Sequence, residues 1–354
     1  MDHLETDFVI IGGGLTGLAL AYFLRNSGRS ICILEARDRI GGRIHTIIED
    51  GRTNMEMGAT WLGNKHTVLV ELLKELNIGL IEQEMGETAI YEAISTSPPQ
   101  IVQLPPNNDP TFRIKGGSGK LIHGLQSELG ENTQIFTGEL VKSISFTEEK
   151  VNISSSGYQI TCDKVISTLP PNLLANTIQF VPALPTTLTE LMKTTHTWMG
   201  ESIKIGLHYA HPFWTENNLS GTIVSNVGPI PEMYDHSNKE QKQYALKGFL
   251  NSTFYSLNKE ERKTKVLQQL SKYYGEQVND IILYEEKVWS LDPLTYTSYE
   301  SHVLPHQHNG DATFRQSLFE DKLFIAGSET AELFPGYMEG AIRSASFVAN
   351  KLLM

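Results

Sequence analysis

Apolar residues occupy positions 8–11 without a break in "DFVIIGGGLTGLALAYFLRNSGRSICILEARDRIGGR", and a second unbroken run covers 31–34. Continuous apolar strands of this kind suit a parallel sheet covered on both faces. Between them Leu15, Leu18, Ala19, Tyr22 and Phe23 fall at helical spacing, and Ser27-Gly28 supplies the stop. The pattern predicts strand, helix, strand, the opening of an α/β domain. Further along, 68–76 and 120–129 predict amphipathic helices, the second with Leu121, Ile122, Leu125 and Leu129 on one face. Residues 133–166 alternate in short strands around a Ser154-Ser155-Ser156-Gly157 turn, and "STSPPQIVQLPPNNDP" reads as loop. More strands are expected at 202–209, 219–227 and 245–251, then a helix from Asn258, where Glu261 completes a capping pair. Near the C-terminus "LFIAGSETAELFPGYMEGAIRSASFVANKLL" reads as a buried strand, a loop, and a helix whose apolar face is Ala341, Ala345, Val348 and Leu352.

Glycines turn the first of these elements into a binding site. Gly12, Gly14 and Gly17 form GxGxxG at the strand-to-helix turn. Gly12 permits the turn, Gly14 admits a pyrophosphate to the backbone, and Gly17 allows close helix packing. The helix N-terminus adds N–H donors and partial positive charge. Glu35 ends the second strand 18 residues beyond Gly17, placed to accept hydrogen bonds from an adenosine ribose. An acid there disfavours a 2′-phosphate, which leaves FAD or NAD.

Charge and cysteine content narrow the setting. The 354 residues carry a formal net charge of -12, which argues against nucleic acid or an anionic membrane as partner. Both cysteines, Cys32 and Cys162, sit in apolar strand-like runs without metal or redox spacing, as core residues of a reducing compartment would. The opening Met1-Asp2-His3-Leu4-Glu5-Thr6 is polar, no apolar run approaches the roughly 20 residues of a membrane span, and nothing follows "NKLLM". The expectation is a soluble cytoplasmic protein that binds no metal.

The continuation "LEARDRIGGR" resembles the second fingerprint of glutathione-reductase-like FAD proteins, in which a GGR segment follows the ribose acid. Physically, Gly41 and Gly42 let N–H groups converge and Arg43 sets a cation beside the diphosphate. With "VIIGGGLTGL", "MEMGATWLG", "KGGSGKL", "VISTLPP", "SIKIGLHYAHPFW", "EEKVW", "LFIAGSET" and "GYMEGA", all in order, the chain resembles the flavin-containing amine oxidases, a family that includes monoamine, polyamine and L-amino-acid oxidases. One departure is large: a long helical stretch usual in the family between the "GATWLG" and "GGSGKL" segments is missing, and only residues 64–115 intervene. That stretch normally walls the substrate cavity.

The resemblance implies an α/β fold: a Rossmann-like FAD-binding domain of the glutathione-reductase and amine oxidase type, with an inserted α+β substrate domain. The FAD domain is expected at 1–82, 116–171 and 288–354, and the substrate domain at 83–115 and 172–287. It implies cofactor contacts from Gly12, Gly14, Gly17, Glu35, Ala36, Arg37, Gly42, Arg43, Gly58, Ala59, Thr60, Trp61, Val141 (through its backbone), Trp289, Gly327, Glu329, Tyr337, Met338 and Ala341. Glu329 is expected at the ribitol or diphosphate, and Met338 N–H at the flavin N1 and C2 carbonyl. Three residues carry over to the chemistry. Lys204 would hold a water against flavin N5, the plain alternative being a solvent-facing lysine. Tyr337 and Tyr296 would face each other across the amine, with Tyr299 as the substitute for Tyr296. Thr295 stands where some members attach FAD through cysteine, so the FAD is expected to be non-covalent. The partners implied are a small-molecule amine and dioxygen, with room for a homodimer over the open cavity. The implied reaction turns an amine, oxygen and water into aldehyde, ammonia and hydrogen peroxide. A desaturase or protoporphyrinogen-oxidase-like enzyme, or a flavin-binding protein with little turnover, are the competing readings.

Overall fold

A computed structural model describes residues 2–354. Two large sheets organise them. The first has eight strands. Asp2–Ile11 lies at its centre, flanked in parallel by Ile31–Glu35 and Tyr158–Ser167, and Thr133–Thr137 extends it in parallel beyond Ile31–Glu35. Tyr158–Ser167 is long enough to serve two partners. Its first half pairs antiparallel with Val151–Ser154, and its last residues, 165–167, pair in parallel with Leu323–Ile325.

The unbroken apolar runs are explained by cover on both faces. Ile10, Ile31, Ile33 and Ile166 pack on one side with the helices Leu15–Leu24, Gly119–Ser127 and Met338–Leu353. Val9, Ile11, Cys32, Leu34 and Val165 pack on the other, over the 143–154 hairpin. Both cysteines are buried and unpaired.

The second sheet has seven strands in the order Leu283–Val288, Ile203–Tyr209, Tyr244–Leu250, Glu232–Asp235, Ile223–Ser225, Thr88–Glu92 and Gln100–Gln103. Its core packs Ile203, Ile205, Leu207, Met233, Leu246 and Leu250 against Val266 and Leu270 of helix Lys259–Tyr274. That helix begins with the expected reciprocal Asn258–Glu261 capping box. The opposite face of Ile203–Tyr209 is buried too: a Cβ on Gly206 would lie 2.3 Å from Met55 Sδ. Met55 belongs to a two-stranded ribbon, Thr46–Ile47 with Met55–Glu56, that covers this face.

Two expectations change. Gln100–Gln103 is a strand inside the stretch expected to be loop, and it pairs with Thr88–Glu92, for which no element was expected. Leu174, Ile178, Leu188 and Met192 pack in the first sheet's core and Gln179–Val181 extends that sheet. The chain thus leaves the first sheet after helix Thr186–Lys193 rather than at 172.

Candidate active site

The first glycine loop and the GGR loop meet. Gly14 bridges Gly41, and a Cβ on Gly42, whose φ is +56°, would lie 3.2 Å from Gly14 Cα. Only bare backbone fits at that approach. Gly17 does not face the cavity: a Cβ there would lie 2.1 Å from the Gly12 carbonyl oxygen, so it permits the packing of helix on strand. Glu35 is buried and its carboxylate accepts N–H bonds from Gly13 at 2.8 Å and Arg37 at 2.9 Å. Each oxygen thus keeps acceptor capacity, and Glu35 lines the cavity.

That cavity, about 520 Å³, runs from the glycine loops and Glu35 past Gly58, Ala59, Thr60 and Trp61 to Lys204, Trp289, Tyr337, Met338 and Ala341. Arg37 and Arg43 also line it, and both are pinned. Arg37 donates to Asp292 at 2.8 Å and Thr295 Oγ1 at 2.6 Å. Arg43 makes a bidentate pair with Glu329, at 2.5 and 2.8 Å, and reaches Ser328 Oγ at 2.9 Å. Glu329 is fully buried, and it also accepts from Trp198 N–H and Ser328 Oγ–H. Burial alone would raise its pKa; the Arg43 charge and hydrogen bonds outweigh that and hold it below the ordinary value. Its oxygens are thus engaged, and Glu329 does not line the cavity. In the structure its side chain holds Arg43, which does line the cavity.

Lys204 is 5% exposed, so the solvent-facing alternative falls. Its Nζ donates to the Gly58 carbonyl and lies 4.9 Å from the Phe249 ring centroid. Burial pushes its pKa down to about 8, against the opposing pull of Glu56 and Glu232. Trp289 is buried, donating from Nε1 to the Met57 carbonyl at 2.8 Å.

The aromatic pair is rearranged. Tyr337 lines the cavity, but Tyr296 and Tyr299 do not. They pack edge-on at 5.8 Å behind the segment 197–200, where Tyr299 Oη accepts Thr197 N–H and a Cβ on Gly200 would meet the Tyr296 ring. Met199 in that segment adopts φ +59°, and Trp198 reaches the cavity, its ring 5.8 Å from Tyr337 and stacked 3.8 Å from His306. Trp198, not Tyr296, is thus the aromatic residue that lines the cavity beside Tyr337. Ala36, Val141 and Gly327 also lie off the cavity lining; Val141 is a core residue, and Gly327 abuts Thr168 and Leu169 through its backbone. Sequence reasoning missed Trp198, Met199, Glu232 and Phe249, which line the cavity without belonging to a local motif, and gave no role to Thr168, Leu169 and Pro170 of "VISTLPP", which line it too.

The residues present fit a flavin dinucleotide: a double glycine cradle, a buried ribose-type acid, two arginines and the Met338–Leu353 helix N-terminus open on one cavity. The family model described as flavin containing amine oxidoreductase matches residues 15–99 and 95–353. The chain belongs to that family. It is accordingly a flavin-dependent oxidoreductase acting on amines. It is 24% identical to the probable flavin-containing monoamine oxidase A of Dictyostelium discoideum, covering 98% of this chain and 97% of that one. It is also 24% identical to amine oxidase [flavin-containing] B of Homo sapiens, covering 99% and 86%. The former alignment spans 449 positions against 354 residues, so at least 95 positions have no counterpart here. Among solved structures, wild-type putrescine oxidase bound to putrescine superposes with a TM-score of 0.85 at 22% identity, covering 99% of both chains. Cyclohexylamine oxidase from Brevibacterium oxydans IH-35A gives 0.83 at 20% identity, covering 98% of this chain and 99% of that one. At those identities the structures speak for the fold.

Proposed function

We propose that the protein binds FAD non-covalently and oxidises a primary or secondary amine with dioxygen as acceptor; a primary amine yields aldehyde, ammonia and hydrogen peroxide. The observation that carries this reading is the single cavity joining the nucleotide cradle to buried Lys204 and the Trp198–Tyr337 pair. When bound, the flavin takes a hydride equivalent from the carbon alpha to nitrogen and hands the electrons on. The chain's own residues do the rest. Glu35 would hold ribose hydroxyls, Arg43 would stand beside the diphosphate, and the N–H groups opening Met338–Leu353 would donate to the flavin where it gains negative charge on reduction. Trp198 and Tyr337 orient an uncharged amine between ring faces. Lys204 would hold a water and supply a proton beside the flavin. Non-covalent binding is supported by Thr295 and by the two buried cysteines, Cys32 having its thiol pushed up to about 12 by burial.

Glu232 refines the substrate class. It lines the cavity with Lys204, Trp61 and Phe249, and among the described residues only Tyr234 Oη donates to its carboxylate. A carboxylate so placed accepts a second ammonium, which favours diamines, the class named for the putrescine-bound neighbour. Replacing Glu232→Gln is expected to raise KM for diamines about tenfold relative to monoamines; equal changes for both would remove Glu232 from recognition. Lys204→Met is expected to leave the flavin bound and slow reoxidation by oxygen on the order of 100-fold in stopped-flow absorbance. An unchanged oxygen rate would sink that role.

A further inference from the structure

Lys204 has a second lysine beside it. Ile203–Tyr209 and Tyr244–Leu250 pair so that Gly206 faces Lys247, which places Lys204 and Lys247 diagonally on one face of the sheet. Lys247 is fully buried. Its Nζ donates to Thr60 Oγ1 and lies 4.2 Å from the Trp61 ring centroid, over which Lys204 Nζ lies at 5.6 Å. The two amines thus share one face of the sheet and one aromatic ring, with no other element's backbone between their strands. Neither has a carboxylate within ion-pair distance among the described residues. Facing them are Glu56 from Met55–Glu56, Arg113 from Thr111–Ile114, Glu232 from Glu232–Asp235, and His236 just beyond it. Glu56 is buried, accepts from Thr46 Oγ1 and Ser118 N–H through one oxygen, and leaves the other without a partner.

Two buried ammonium groups in contact would repel with little solvent to screen them. One neutral amine beside one ammonium removes the repulsion and makes a hydrogen bond, because a neutral amine is an acceptor. Burial and the Lys204 charge both push Lys247 toward the neutral form, and a hydrogen bond to Lys247 favours the charged form of Lys204. We propose that Lys204 and Lys247 share a single proton at the flavin-facing end of the cavity, Lys247 acting as the neutral acceptor that holds Lys204 charged. Lys247 is a positioning residue: it acts through Lys204. The inference rests on the oxidase reading for its use. Making hydrogen peroxide from dioxygen takes two electrons and two protons. The electrons and one hydrogen come with the reduced cofactor, and the other proton is the one this pair holds.

The test uses oxidised, substrate-free holoprotein labelled with 15N at lysine side chains, titrated by NMR. It reads the pair without turnover, so it stands apart from whether any amine is oxidised. The Lys204 amine is expected to titrate near its lowered pKa, and Lys247→Met to move that midpoint down by about one pH unit, because the acceptor is lost. Lys247→Gln, which keeps an acceptor, is expected to restore it. The pH at which reoxidation begins to slow should move the same way in the same variants. A midpoint unchanged or raised in Lys247→Met, or a Lys204 amine that does not titrate, would overturn the proposal.

Discussion

At the scale of single residues, the site is held by groups that face away from it. Arg43 was legible from "IGGR" as a cation, but its partner was not. Glu329 lies 286 positions later, and only the fold brings their carboxylate and guanidinium together. The same holds for Trp198, which lines the cavity next to a left-handed turn at Met199, whereas Tyr296 does not line it. Local motifs named the groups that touch backbone; they could not name groups set by long-range packing. Arg43→Ala should leave the fully buried Glu329 charge uncompensated and destabilise the protein by about 3 kcal/mol in denaturant unfolding; a loss below about 1 kcal/mol would show the pair to be dispensable. The folded pKa of Glu329 is held below the ordinary 4.5, so its contribution is present above that pH. It is lost as the pH falls through the folded value. Acid unfolding of Glu329→Gln should accordingly be less steep below pH about 4.5 than that of the parent.

Among elements, the glycine loops were legible because their chemistry is local: strand, turn, helix and acid follow one another in 28 residues, 8–35. Gly17→Ala should cost about 1–3 kcal/mol by forcing helix Leu15–Leu24 off the central strand, seen as a lower Tm together with lost flavin. Retention of both would mean the backbone absorbs the methyl. The C-terminal motif divides its work in a way its sequence does not announce. Met338 and Ala341 line the cavity, whereas Glu339 points away and caps the helix Thr67–Glu75, accepting Val68 N–H at 3.2 Å and Leu69 N–H at 2.7 Å. Glu339→Ala should therefore lower stability by about 1–2 kcal/mol while leaving the flavin spectrum intact; a shifted spectrum at unchanged stability would reverse that assignment. The strands at 88–92 and 100–103 were missed because prolines dominate the segment between and after them, and pairing with Ile223–Ser225 supplies the order.

For the whole molecule, residues carried by two large sheets line one cavity that runs from the cofactor cradle to buried Lys204. The architecture was legible from the α/β pattern and the spread of motifs. The place where the chain leaves the first sheet was not, because residues 172–193 carry no signal beyond ordinary amphipathic helices. The 95 or more positions absent relative to the Dictyostelium relative fall on a protein that keeps the cradle, Lys204 and Tyr337. Among the described residues no helix is long and apolar enough to cross a membrane. The central claim is that this shortened cavity still oxidises amines. It is tested most directly by mixing the yellow holoprotein anaerobically with diamines, arylalkyl amines and amino acids while following the oxidised-flavin absorbance. Bleaching by diamines first, then recovery with one peroxide per flavin on admitting air, is the predicted result. A spectrum that dithionite bleaches and no amine does would contradict the account.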